Sequence, residues 1–361
     1  MTLLNSNKYQ TWFENPLIKV FQDDMPSSAS KKEATISAAK NEYEPLQLVF
    51  RSNEPVEKLK VKVTDLVHES GKNKIKSTNW KVNYVGYVPI KANTVGIPHE
   101  ETIRKAPGYF PDPLLEEESV SVERDSNQPV WLTLYVPKHA KSGIYRGKVV
   151  VSADGEEQSL PLKVRVWDFT LNDESHILFG HLGVTFAPWR IPFPEFIPWS
   201  EEHWEYIDRL LNNMVEHRTN YLLLDDEELV QIYEDDNGEY RFDFSRWDRI
   251  VQLALNKGIK EFQGGALTTR KSWNDKQFYL ASWIKILNKK GKVIKKLDDV
   301  PWPSEKANKF LRAYITALYV HLKEKGLLDK YAFRVFDEPL DIHIEDYRRL
   351  AHFYKTIAPG L

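Results

Sequence analysis

The chain has 361 residues, 42% of them hydrophobic, which suits two domains with sizeable cores. A formal net charge of -2 leaves no global field to recruit nucleic acid or an anionic membrane surface. The absence of cysteine removes disulfides and thiolate metal sites from consideration.

The N-terminal stretch MTLLNSNKYQTWFENPLIKV lacks a basic head followed by an apolar run, and no later stretch approaches the roughly 18 apolar residues of a membrane span. These features predict no membrane span and a cytoplasmic protein. Aromatic residues are abundant, with 11 Trp, 17 Tyr and 17 Phe. Their flat faces suit sugar rings, although core packing uses the same residues.

Residues 1–170 are predicted to form an all-β domain. Alternating or β-branched runs occur at Pro45–Phe50, Leu59–Leu66, Val82–Ile90, Val130–Val136, Gly143–Ser152 and Gln158–Val166, divided by Asn, Gly, Asp and Pro. Asp154-Gly155 between the last two is a hairpin signal, and the regular spacing predicts a β-sandwich.

From residue 171 to 361 the period changes. Strand-like runs at Ile177–Gly183, Tyr221–Leu224, Ile259–Gly265 and Tyr331–Phe336 alternate with helical stripes, which predicts βα units on a parallel sheet. Ser200 is placed to cap the first helix, whose stripe is Trp204, Ile207, Leu211 and Met214. Trp247, Ile250, Val251, Ala254 and Leu255 line a second helix that Gly258 ends. Phe310, Leu311, Tyr314 and Leu318 line a third, begun after Pro303-Ser304, and Tyr347, Leu350, Ala351 and Tyr354 a fourth. About four βα units are half of a closed (β/α)8 barrel, so the expected architecture is a sandwich followed by a partial TIM-type barrel or an open sheet. The stretch 268–303 reads as a long loop over a binding rim, or as a purely structural excursion, and its Lys-rich part, Lys285–Lys296, as a solvated surface loop.

The chemistry is expected at Asp337 and Glu338. They follow an apolar strand, and Pro339 stops that strand because it has no N–H to donate and a fixed φ. Two like charges side by side at a strand end either cap the next helix or perform acid/base work of the kind used on glycosidic bonds. Asp225, in the acidic run Asp225–Glu228 after the second strand, lies on the same predicted rim; the run reads as a helix start in preference to a metal site. Trp189 and Arg190 after the first strand, and Trp273 in the long stretch, are candidates to stack on and hydrogen-bond a sugar, weighed against core packing. No Gly-rich phosphate loop or nucleophile elbow is present, and neither cofactor nor metal is expected.

Several segments carry a resemblance. Asn41–Gln47, Pro107–Leu114, Gly143–Gly147 and Val166–Leu171 resemble the N-terminal β-sandwich of glycoside hydrolase family 123. The helix Trp204–Arg218, the turn Phe242–Ser245 and the strand end Phe336–Pro339 are similar to its catalytic barrel. The resemblance implies a β-N-acetylgalactosaminidase acting at the non-reducing end of a glycan or glycolipid. It implies retention of configuration through the substrate's own 2-acetamido group. Asp337 then orients that group and Glu338 is the general acid/base, matching the family's Asp-Glu pair position by position. Members continue with further barrel strands that wall the sugar pocket. The expected alternative is therefore an inactive carbohydrate-binding remnant, with open edges that self-associate or take up a second polypeptide. A third reading is an ordinary retaining glycosidase, pairing Glu338 with a carboxylate near Asp225 at about 5 to 5.5 Å.

Overall fold

A computed structural model describes residues 2–3, 8–27, 30–180, 197–224 and 229–361. The chain divides into two compact units, Met1–Glu174 and Ser175–Leu361.

The first unit is built from two sheets. One holds Tyr9–Glu14, Glu42–Ser52, Ser126–Val136, Trp80–Ile90 and Gly108–Leu115 in that order. The other is organised around Gly143–Ala153, which pairs antiparallel with Glu156–Thr170 and with Val56–Val63. Alternation along the strands sends Leu48, Phe50, Leu132 and Leu134 from one sheet into a core shared with Val149, Val151, Leu160 and Leu162 from the other. The hairpin at Asp154-Gly155 has φ of 48° and 91° at its two central residues, the double positive φ that an Asp-Gly turn supplies. Among the strands that the sequence reading did not predict, the longest are Tyr9–Glu14, Ala34–Lys40 and Gly108–Leu115. The last contains Pro111 and Pro113, and its place at the end of the sheet order is where a strand tolerates missing donors.

The second unit has a three-stranded parallel sheet, Tyr221–Leu224, Glu261–Gly264 and Tyr331–Phe333. Among the described residues four α-helices of eight or more residues accompany it: α1 Glu201–Glu216, α2 Ser245–Lys257, α3 Glu305–Glu324 and α4 Ile344–Ile357. The Ser200 hydroxyl accepts from the His203 N–H at 3.3 Å, and Ser304 accepts from the Ala307 N–H at 3.2 Å, so α1 and α3 start on side-chain caps. Gly258 ends α2 at φ 105°. The predicted stripes are the buried faces: Trp204, Ile207, Leu211 and Met214 in α1, Trp247, Ile250, Val251 and Ala254 in α2, and Phe310, Leu311, Tyr314 and Leu318 in α3.

Two expectations are corrected, and a third lies partly outside the described residues. The run Ile177–Gly183 shows a single parallel bridge, Gly180 to Tyr221, and 181–183 lie outside the described residues. The strand expected over Tyr331–Phe336 ends at Phe333, because its sheet neighbour among the described residues, Glu261–Gly264, stops pairing there. The stretch 268–303 is not a loop. Thr268–Thr269, Phe278–Leu280 and Pro301–Trp302 form one small sheet. Lys285–Leu287 pairs with Val293–Lys296 and with Gln231–Glu234, which itself forms a hairpin with Tyr240–Asp243. The lysine-rich part is thus a hairpin whose Ile286 is fully buried. Its turn is closed by Asn288, whose Oδ1 accepts from the N–H groups of Lys290 and Lys292 at 2.9 and 3.0 Å. Lysines dominate the composition there, but one buried isoleucine and an asparagine turn decide the backbone.

Candidate active site

Parallel pairing explains why separate parts of the chain meet at Asp337. Gly264 pairs with Phe333, so both strands end at the same edge of the sheet and the segments that follow them are neighbours. One of these segments carries Arg270 and Trp273; the other carries Arg334, Asp337 and Glu338.

The two carboxylates are presented to solvent, with side-chain exposures of 63% for Asp337 and 66% for Glu338. Arg334 Nη1 donates to Asp337 Oδ1 at 3.0 Å. Arg270, with a side chain only 11% exposed, donates from Nη1 to two backbone carbonyls, Glu338 at 2.6 Å and Asp337 at 3.2 Å. Its Nη2 lies 3.9 Å from Glu338 Oε2. Glu338 has φ 47°, in the left-handed region, where a residue with a Cβ pays about 1–2 kcal/mol.

Aromatic rings floor this loop. Phe336 is buried and stacks on Phe278, with centroids 4.0 Å apart and planes 17° from parallel. The Arg270 guanidinium sits 4.2 Å from the Trp273 ring centroid and 5.8 Å from that of Phe336. Downstream, His343 is fully buried; its Nδ1 accepts from the Leu340 N–H at 2.9 Å, so Nε2 carries the proton and donates to the Asp275 carbonyl at 2.9 Å. The loop is therefore tied to the segment following Gly264 on both sides of the carboxylate pair.

Of the sequence-predicted site residues, Asp337, Glu338 and Trp273 come together here. Trp273 is 58% exposed but has one face occupied by Arg270, which makes it a half-available platform. Trp189, Arg190 and Asp225 lie outside the described residues. Sequence reading missed Arg270, Arg334 and His343. Among the described residues no group of three or more His, Asp or Glu side chains is arranged to hold a metal ion, and no helix is long and apolar enough to cross a membrane.

The profile of the glycoside hydrolase 123 N-terminal domain matches residues 19–153, and that of the glycoside hydrolase 123 catalytic domain matches residues 195–361. The chain belongs to glycoside hydrolase family 123. A family 123 glycoside hydrolase from Clostridium perfringens, whose structure was solved to detail glycolipid glycan hydrolysis, is similar over 95% of this chain at 16% identity, with a TM-score of 0.73. This family 123 chain spans 60% of that structure's length. Two matches lie far lower in TM-score and carry no argument. A CooA pilin subunit from enterotoxigenic Escherichia coli has a TM-score of 0.24 at 9% identity, over 44% of this chain and 97% of its own. A PapD-like domain of human CEP192 has 0.22 at 13%, over 47% and 92%. No curated protein matches the chain.

Proposed function

We propose that the chain is a retaining glycoside hydrolase that removes terminal β-linked N-acetylgalactosamine, its second unit being the first half of a (β/α)8-type barrel. What supports this is the placement of Asp337 and Glu338, on one exposed loop at the carboxyl end of a parallel sheet, in a chain of family 123. The acetamido oxygen of the substrate attacks the anomeric carbon as the glycosidic bond breaks. Glu338 gives its proton to the leaving oxygen, so the products of this step are the free aglycone and an oxazolinium ion. Asp337 Oδ2 accepts from the acetamido N–H, which orients that group and offsets the positive charge that develops on it. Glu338, now a carboxylate, takes a proton from water as the water opens the oxazolinium, and retention results. Arg334 holds Asp337 Oδ1 from the opposite side and fixes which oxygen is offered. Trp189 and Arg190, Asp225 and the free face of Trp273 are assigned to the sugar ring. The reaction as written uses no cofactor.

A second reading is favoured by the openness of the pair. Carboxylates this exposed leave the reacting atoms in bulk water, where fixed charges act weakly. That suits a protein that binds carbohydrate without turning it over. A chromogenic β-N-acetylgalactosaminide separates the two. Release of the chromophore by the chain, with a loss on the order of 100-fold or more in kcat for Asp337→Asn and for Glu338→Gln, is the expected result. Binding without release supports the second reading. Competitive inhibition by an N-acetylgalactosamine thiazoline, which imitates the oxazolinium, supports the acetamido route over an enzyme nucleophile near Asp225.

A further inference from the structure

We infer that Arg270 is a positioning residue for the carboxylate pair: it holds the Asp337–Pro339 backbone in the conformation that aims both side chains. The inference rests on the reading of Asp337 and Glu338 as the reacting pair.

Three observations converge. First, Glu338 stands at φ 47°, and it precedes Pro339, which presses the preceding residue toward extended backbone. The local sequence therefore opposes the observed conformation on two grounds, and something outside it must hold it. Second, the Arg270 Nη1 reaches the carbonyls on both sides of Glu338's Cα, at 3.2 and 2.6 Å. Two carbonyls turned toward one nitrogen fix the peptide planes on either side of that Cα, and hence the direction in which the Glu338 side chain leaves the backbone. Third, Arg270 is prearranged for this. Its side chain is 11% exposed, and its guanidinium lies against Trp273. A buried cation needs hydrogen-bond partners to stay there, and the carbonyls are those partners. A glycine at 338 would adopt this backbone without help. Glutamate is there instead, with a buried arginine to hold it.

The same guanidinium keeps Nη2 3.9 Å from Glu338 Oε2. That spacing leaves the guanidinium charge beside the carboxylate that Glu338 becomes once it has given up its proton.

The test has two arms. In the first, the structures of Arg270→Ala and Arg270→Lys are determined without sugar. Arg270→Ala is expected to release Glu338 to negative φ, and Arg270→Lys, which folds with charge and stem kept, to lose one of the two carbonyl contacts. Glu338 held at its present φ in both variants overturns the inference. In the second, chromogenic turnover by the full chain is expected to fall on the order of 100-fold in kcat with KM nearly unchanged in Arg270→Ala. Added guanidinium chloride is expected to restore part of that loss in Arg270→Ala and none in Glu338→Gln. Equal turnover in the variant and the parent also overturns the inference. If the parent releases no chromophore, the glycosidase reading fails, and the first arm alone decides the role of Arg270.

Discussion

Tyr354 and Tyr87 are phenols whose ionisation is opposed by burial, Tyr354 in α4 and Tyr87 in the sandwich, where it donates to the carbonyls of Val20 and Asn127. Burial raises both above the ordinary tyrosine range. The sign of the consequence follows from proton counts. Below about pH 10 the folded and unfolded states both keep these protons; above it the unfolded chain releases them first, so stability falls as pH rises. Each such tyrosine contributes about 1.4 kcal/mol of loss per pH unit there. Tyr354→Phe is expected to flatten the alkaline stability slope by one tyrosine's share, as measured by urea unfolding at a series of pH values; an unchanged slope contradicts the assignment. At this scale the sequence displayed what was local. Asp337 and Glu338 stand out because an acidic pair, an apolar strand and a proline occur within a few residues. Arg270 does not, because it sits in Thr269-Arg270-Lys271, which reads as ordinary surface charge, and its partners are 67 and 68 residues away. His343 is hidden for the same reason, its second partner being 68 residues away.

Trp247 shows how one element supports the site without touching it. It is fully buried in α2, edge-on to His321 of α3 at 5.7 Å and 6.0 Å from Tyr331, the first residue of the strand that leads to the carboxylates. His321 in turn stacks on Phe244 at 4.3 Å and shares Asp248 with Lys325, each at 2.7 Å. Trp247→Ala is expected to cost about 3–5 kcal/mol, because the indole's contacts are lost and the cavity is bounded by elements that cannot all close in. Chemical denaturation checks the value, and a loss below that of an exposed substitution removes Trp247 from this role. The helices were legible because their stripes repeat every 3.6 residues over 13 to 20 residues. The 268–303 region was not. Its strands are two to four residues long, too short for a period to appear, and they are fixed by pairing with one another and with the 231–243 hairpin.

In the whole molecule, the parallel sheet of the second unit ends on the Tyr331–Phe333 strand, which is paired on one side only among the described residues. Leu340, Ile342 and Ile344 follow it and are exposed. An unpaired strand edge favours association, and so do exposed apolar side chains, so we propose that the chain self-associates through them. Light scattering is expected to give a mass that rises with concentration, and Ile342→Lys to lower it. A monomer of constant mass that binds no apolar dye refutes this. The long-range ties of the carboxylate loop have a further consequence. The contacts from Arg270 and His343 close spans of 67 and 68 residues, and the parallel pairing of Gly264 with Phe333 is equally non-local, so aiming the loop and closing the sheet draw on the same long-range contacts. A substitution that removes Arg270, or that displaces the Asp275 carbonyl, is expected to disturb the carboxylate loop while α1 to α4 stay folded, which circular dichroism beside chromogenic turnover checks.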